Sequence, residues 1–140
     1  MTRSYRGTGP HPLHAILLGF PIALFTGTVV TDLAYLNTAE IQWSNFSAWL
    51  NAGGLVVGGI VGAWAILDLI LAFRRGAAGR VLAYVVVLAL AWIVGLVNAF
   101  KHSQDGWSSV GAFGLTLSIL SALLALVAGW IAYSARESVR

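Results

Sequence analysis

The sequence predicts an all-α integral membrane protein, a bundle of four transmembrane helices forming one domain over residues 1–140. Three observations carry that expectation. Of the residues, 59% are hydrophobic and only 9% charged, against about 25% charged in ordinary soluble domains. Four apolar runs reach the roughly 20 residues that a helix needs to cross a hydrocarbon core. Basic residues gather in alternate connectors between those runs, the pattern by which membrane proteins fix their orientation.

The first span is expected at Leu13–Leu36. Arg3 and Arg6 precede it as they would a signal peptide, but the run continues to Asp32 with no convincing small-x-small cleavage site, so a retained helix is expected. Further spans are expected at Trp49–Phe73, Arg80–Phe100 and Val110–Ser134, joined by connectors at Asn37–Ala48, Arg74–Gly79 and Lys101–Ser109. Runs such as Val81–Phe100 are apolar on every face, which excludes the alternating strands of a barrel. Each span carries small residues at four-residue spacing, the feature that lets helix backbones approach in lipid. They are Gly19, Ala23 and Gly27; Gly54, Gly58 and Gly62; Ala91, Gly95 and Ala99; Ser121, Ala125 and Gly129. Whether these stripes meet within one chain or between copies of a homo-oligomer stays open.

Orientation follows from the basic residues. Arg3, Arg6, Arg74, Arg75, Arg80, Arg136 and Arg140 fall on one side and Lys101 alone on the other, so both termini are expected in the cytoplasm. Trp43, Trp49 and Trp107 decorate the opposite connectors as interface anchors. A net charge of +3 arranged in this way is topological information and argues against nucleic acid as a partner. Membrane lipid is the expected environment.

The absence of cysteine excludes disulfides, iron–sulfur clusters, thiolate zinc sites and covalently attached haem. Any metal or haem would need the remaining ligand types. His11 and His14 open span one around Pro12, which suits a helix's first turn. Three apart, the two histidines project on roughly one face and are candidate ligands for a haem iron or a metal; the alternative is ordinary hydrogen bonding in the headgroup layer. Asp32 lies eighteen residues after His14, about five turns, so the two share a face. An intramembrane acid is costly unless it meets a partner or water, which makes Asp32 either a functional group or one wetted by the adjoining connector. Asp68 is expected either to pair with Arg74 and Arg75 or to lie near His14 and Tyr84. Tyr84 and Asn98, fourteen residues apart, form a polar edge expected to face the bundle interior. His102, next to Lys101, Gln104 and Asp105, is expected to be a solvated residue or an axial ligand at the external surface. Within one chain the topology keeps it from sharing one iron with His14; a bis-histidine iron would need two histidines on one side or one from each subunit of a dimer.

No nucleophile–base pair, phosphate-binding loop or HExxH motif is present, so autonomous catalysis is not expected, and no broken-helix repeat argues for a transporter.

The string His11-Pro12-Leu13-His14, followed by Gly19-Phe20-Pro21-Ile22-Ala23-Leu24-Phe25 and Thr31-Asp32-Leu33, resembles the opening of a bacterial family of predicted membrane proteins, domain of unknown function 2231. Gly62–Asp68 is similar to the GxxxD-like ending of that family's second span, at wider spacing. Where many members carry a further histidine early in span three, this chain has Tyr84. Members occur beside or fused to Rieske or cytochrome modules, and the resemblance therefore implies a place near respiratory electron transfer. Two functions follow as expectations. One is a membrane redox accessory that holds haem b through His14, His11 or His102, or that docks a redox subunit. The other is a cofactor-free structural or assembly subunit of a larger membrane complex.

Overall fold

The computed structural model describes residues 9–134, so the orientation signals at Arg3, Arg6, Arg136 and Arg140 lie outside the described residues. The described residues form four long helices and one short one. They are α1 (Pro12–Thr38), α2 (Ile41–Arg74), α3 (Gly79–His102), α4 (Gly106–Ser109) and α5 (Ala112–Ser134). All but α4 are long and apolar enough to cross a membrane. This is the all-α four-helix membrane bundle that the composition demands.

The helices pack in a ring, α1 on α2, α2 on α3, α3 on α5 and α5 on α1. Short connectors force neighbours to run antiparallel, so α1 and α3 are parallel across the diagonal. The buried residues of α1 are His14, Leu18, Pro21, Phe25, Thr28, Asp32 and Tyr35 together with Thr31. Those of α3 are Tyr84, Leu88, Ala91, Gly95, Asn98 and His102. Both series step by alternating fours and threes, the heptad spacing that keeps a seam turned toward neighbouring helices in a slightly crossed bundle. The two seams stay in one register: His14 meets Tyr84 and Asp32 meets His102, each pair seventy residues apart. Midway, Phe25 meets Gly95 at the same offset.

Phe25 explains two of the small-residue stripes. A Cβ on Gly54 would fall 2.7 Å from its ring and one on Gly95 3.0 Å from it, so both glycines are holes for this aromatic knob. Gly129 receives Ile22 in the same way, at 2.7 Å. The stripes are not uniformly internal, because added Cβ atoms on Gly19 and Gly62 would meet nothing within 4 Å. Around Phe25 and toward one end the interior is apolar, with Leu18, Val61, Ala65, Leu88 and Ala128 toward that end and Ala91, Ala122 and Ala125 around the ring.

Two boundaries differ from expectation. The connector placed at Asn37–Ala48 shrinks to a tight turn, and α2 starts at Ile41 because Ser44 and Ser47 continue its buried seam outward from Asn51 and Gly54. Its 34 residues span about 51 Å, more than the roughly 30 Å hydrocarbon core, so the first turns project beyond it. Trp43 and Trp49 are therefore exposed helix positions rather than loop residues. The stretch placed in a connector at Lys101–Ser109 instead completes α3 through His102 and then forms α4, with α5 beginning at Ala112.

Candidate functional site

The polar side chains inside the bundle collect in two layers separated by the apolar middle. Eighteen residues of α1, about 27 Å, divide His14 in one layer from Asp32 in the other.

The denser layer lies at the end formed by the C-termini of α1 and α3 and the N-termini of α2 and α5. Asp32 is 0% exposed. Its Oδ1 lies 2.9 Å from His102 Nε2, and its Oδ2 accepts a short hydrogen bond from the Ser118 hydroxyl. The Ser118 oxygen in turn accepts from Asn98 Nδ2 at 2.8 Å. His102, 6% exposed, donates from Nδ1 to the Asn98 carbonyl one turn earlier, at 3.0 Å. Three helices thus converge on one carboxylate: α1 supplies it, while α3 and α5 supply its donors.

This arrangement counts its own protons. A carbonyl oxygen only accepts, so His102 Nδ1 must carry a hydrogen. One further proton lies on the line between Nε2 and Oδ1, either as imidazolium facing carboxylate or as neutral imidazole facing carboxylic acid. The pair is the only salt bridge among the described residues.

Hydroxyls surround it. Thr31 and Ser47 oxygens lie 2.6 Å apart, those of Ser44 and Ser109 2.8 Å apart, and Asn51 Nδ2 donates to the Gly95 carbonyl at 2.9 Å. The Asn51 and Asn98 side-chain oxygens are buried without a protein hydrogen-bond partner. At the rim, Lys101 Nζ donates to Gln104 and to the Ser108 carbonyl.

The second layer is smaller. His14, 1% exposed, places Nε2 2.8 Å from the Tyr84 hydroxyl. Trp64 stands edge-on to the His14 ring at 5.3 Å between centroids and is tilted against His11 at 5.7 Å. His11 is the exposed N-cap of α1, its Nδ1 accepting from the Leu13 amide. Tyr133 donates to the Ala15 carbonyl and ties α5 to α1 at this level. His14 Nδ1 is buried without a protein partner.

The candidate residues read from the sequence are brought together in a different grouping from the one expected. His14, Tyr84, Asn98 and Asp32 all face the interior. Asp32 is not wetted by a connector; it is sealed and bonded to His102. His102 is neither solvated nor offered to an external ligand, since both ring nitrogens are engaged. Asp68 is exposed and makes no ion pair with Arg74 or Arg75. Ser118 was not anticipated as part of a site. Its signal is a hydroxyl in the buried seam of α5, three residues before Ser121.

Haem b fits these residues poorly. The space beside His14 is filled by the rings of Trp64 and Tyr84, and the apolar groove between α2 and α3 has no histidine in its lining. No group of three His, Asp or Glu side chains able to hold a metal occurs among the described residues.

No curated protein and no solved structure matches the chain. A family model described as predicted membrane protein does match, over residues 10–135, which takes in all four spans and both polar layers. The chain belongs to that family, the DUF2231 predicted membrane proteins.

Proposed function

We propose that the chain is a cofactor-free accessory subunit of a larger bacterial inner-membrane assembly, and that its interior chemistry is carried by a proton held between Asp32 and His102. One observation supports this above the others: the ionisable side chains Asp32 and His102 satisfy one another between α1 and α3, with Ser118 of α5 and Asn98 completing the set. Charged groups within spans are expensive, and such pairs characteristically serve proton transfer or fix helix packing. The pair lies toward the end that carries Lys101, while Arg74, Arg75 and Arg80 mark the opposite, cytoplasmic end.

Infrared spectra of the purified protein test the proton-holding pair. The Asp32 carboxyl band, assigned by its loss in Asp32→Asn, should move when His102 is replaced by Gln. An Asp32 band indifferent to His102→Gln would overturn the reading.

A second reading, haem b or docking of a redox subunit at the other layer, is favoured by a single feature. His14 keeps a free Nδ1 beside exposed His11. It requires Trp64 to leave its place against both imidazoles.

A further inference from the structure

On the membrane-facing side of α2 and α3 lies an apolar groove of about 450 Å³. Gly58, Gly62 and Ile66 line it from α2, and Val85, Ala89 and Trp92 from α3. It exists because Gly58, Gly59 and Gly62 leave the α2 wall low. A Cβ on Gly62 would meet nothing within 4 Å, and one on Gly58 would reach only Pro21 and Trp92, both at 3.5 Å. The Trp92 indole is turned away to donate to the Leu55 carbonyl at 2.9 Å, so the ring forms a fixed wall.

The same two helices carry Arg74, Arg75 and Arg80 at their connecting turn, all exposed. None is in an ion pair, because the only salt bridge among the described residues is Asp32–His102, and Asp68, the acid nearest on α2, lies outside bonding distance of all three. At 1.5 Å per residue the groove begins about 8 Å from Arg80, at Val85, and reaches about 18 Å, at Trp92. That is the depth of one leaflet of a hydrocarbon core about 30 Å thick. Positive charge at the headgroup level therefore continues into an apolar slot at the acyl level.

We propose that Arg74, Arg75 and Arg80 together with the α2–α3 groove form one binding site for an anionic phospholipid, with the phosphate on the arginines and an acyl chain against Gly58 and Gly62. Basic clusters between spans attract anionic headgroups, each cation adding affinity near the surface. The glycines supply close contact along the chain, and zwitterionic lipid gains only that second part.

Native mass spectrometry of the full chain in detergent, with phosphatidylglycerol or phosphatidylcholine added, reads the site directly. Phosphatidylglycerol should be retained in preference to phosphatidylcholine, and each Arg→Gln substitution should reduce that preference about fivefold. Gly62→Leu should abolish retention of phosphatidylcholine and sharply weaken that of phosphatidylglycerol while leaving the melting temperature in detergent unchanged, since a Cβ there meets nothing within 4 Å. Ala89→Leu fills the groove from the facing wall and should do the same. Equal retention of the two lipids, or retention unaffected by both leucine variants, would overturn the proposal. So would inorganic phosphate alone reproducing a phosphatidylglycerol-induced rise in melting temperature, or a second copy of the chain cross-linked through the groove and not displaced by phosphatidylglycerol.

Discussion

Removal of the Asp32 carboxylate gives the sharpest test of the denser polar layer. Asp32→Ala deletes two hydrogen bonds, from His102 at 2.9 Å and from Ser118, and leaves both donors buried. In a water-soluble protein, breaking a buried pair in this way costs about 3–5 kcal/mol. In a bilayer the reference state keeps the helices in lipid, and single polar contacts there are worth on average about 0.6 and at most about 1.7 kcal/mol. Two contacts at the upper value give about 3 kcal/mol, the loss expected for Asp32→Ala in reversible unfolding of the protein in mixed micelles. His102→Ala should lose about 2 kcal/mol, and the double variant about as much as Asp32→Ala alone, a coupling near 2 kcal/mol. Additivity within about 0.5 kcal/mol would show that the two residues do not act as one unit and would refute the reasoning.

Other variants probe the remaining supports. Gly54→Leu should destabilise the bundle by about 3 kcal/mol or prevent folding, because a Cβ already overlaps Phe25, whereas Gly62→Leu should be neutral in the same unfolding assay. Ala39 caps α1 in the left-handed region at φ 57°, so Ala39→Gly should raise stability by about 0.5–1 kcal/mol; a loss would show that this backbone conformation carries no strain. Nitrogen NMR of His102 should find Nδ1 protonated, as its contact to the Asn98 carbonyl requires, and a bare Nδ1 would contradict the proton count. Tyr84→Phe should cost about 1 kcal/mol through the lost contact to His14, measured by the same unfolding method.

The four spans were legible because apolar length in a chain so poor in charge leaves no other structure that satisfies the backbone. The outward extension of α2 was not, since Ile41–Ser47 mixes polar and aromatic residues, and only the phase of Ser44 and Ser47 with Asn51 and Gly54 marks it as helix. The inward face of Asp32 could be read from its five-turn relation to His14. Its partner was harder to see, because His102 sits among Lys101, Gln104 and Asp105 and looks like a loop residue by its neighbours. The seam through Tyr84, Leu88, Ala91, Gly95 and Asn98 lands on His102 at the next step of four, so the placement was present in the sequence as a heptad phase. What no spacing could reveal is which residue of a parallel helix, seventy positions away, lies across from it.

The absorption spectrum of the protein, purified in mild detergent from cells supplied with iron and a haem precursor, tests most directly whether its buried histidines are committed to neighbouring protein groups or to a cofactor. Because Asp32 and Asn98 engage both nitrogens of His102, and Trp64 and Tyr84 pack the space beside His14, the account predicts no Soret band in the wild-type protein. A stoichiometric Soret band that disappears in His14→Ala and persists in His102→Ala would contradict it and assign the His14 layer to haem.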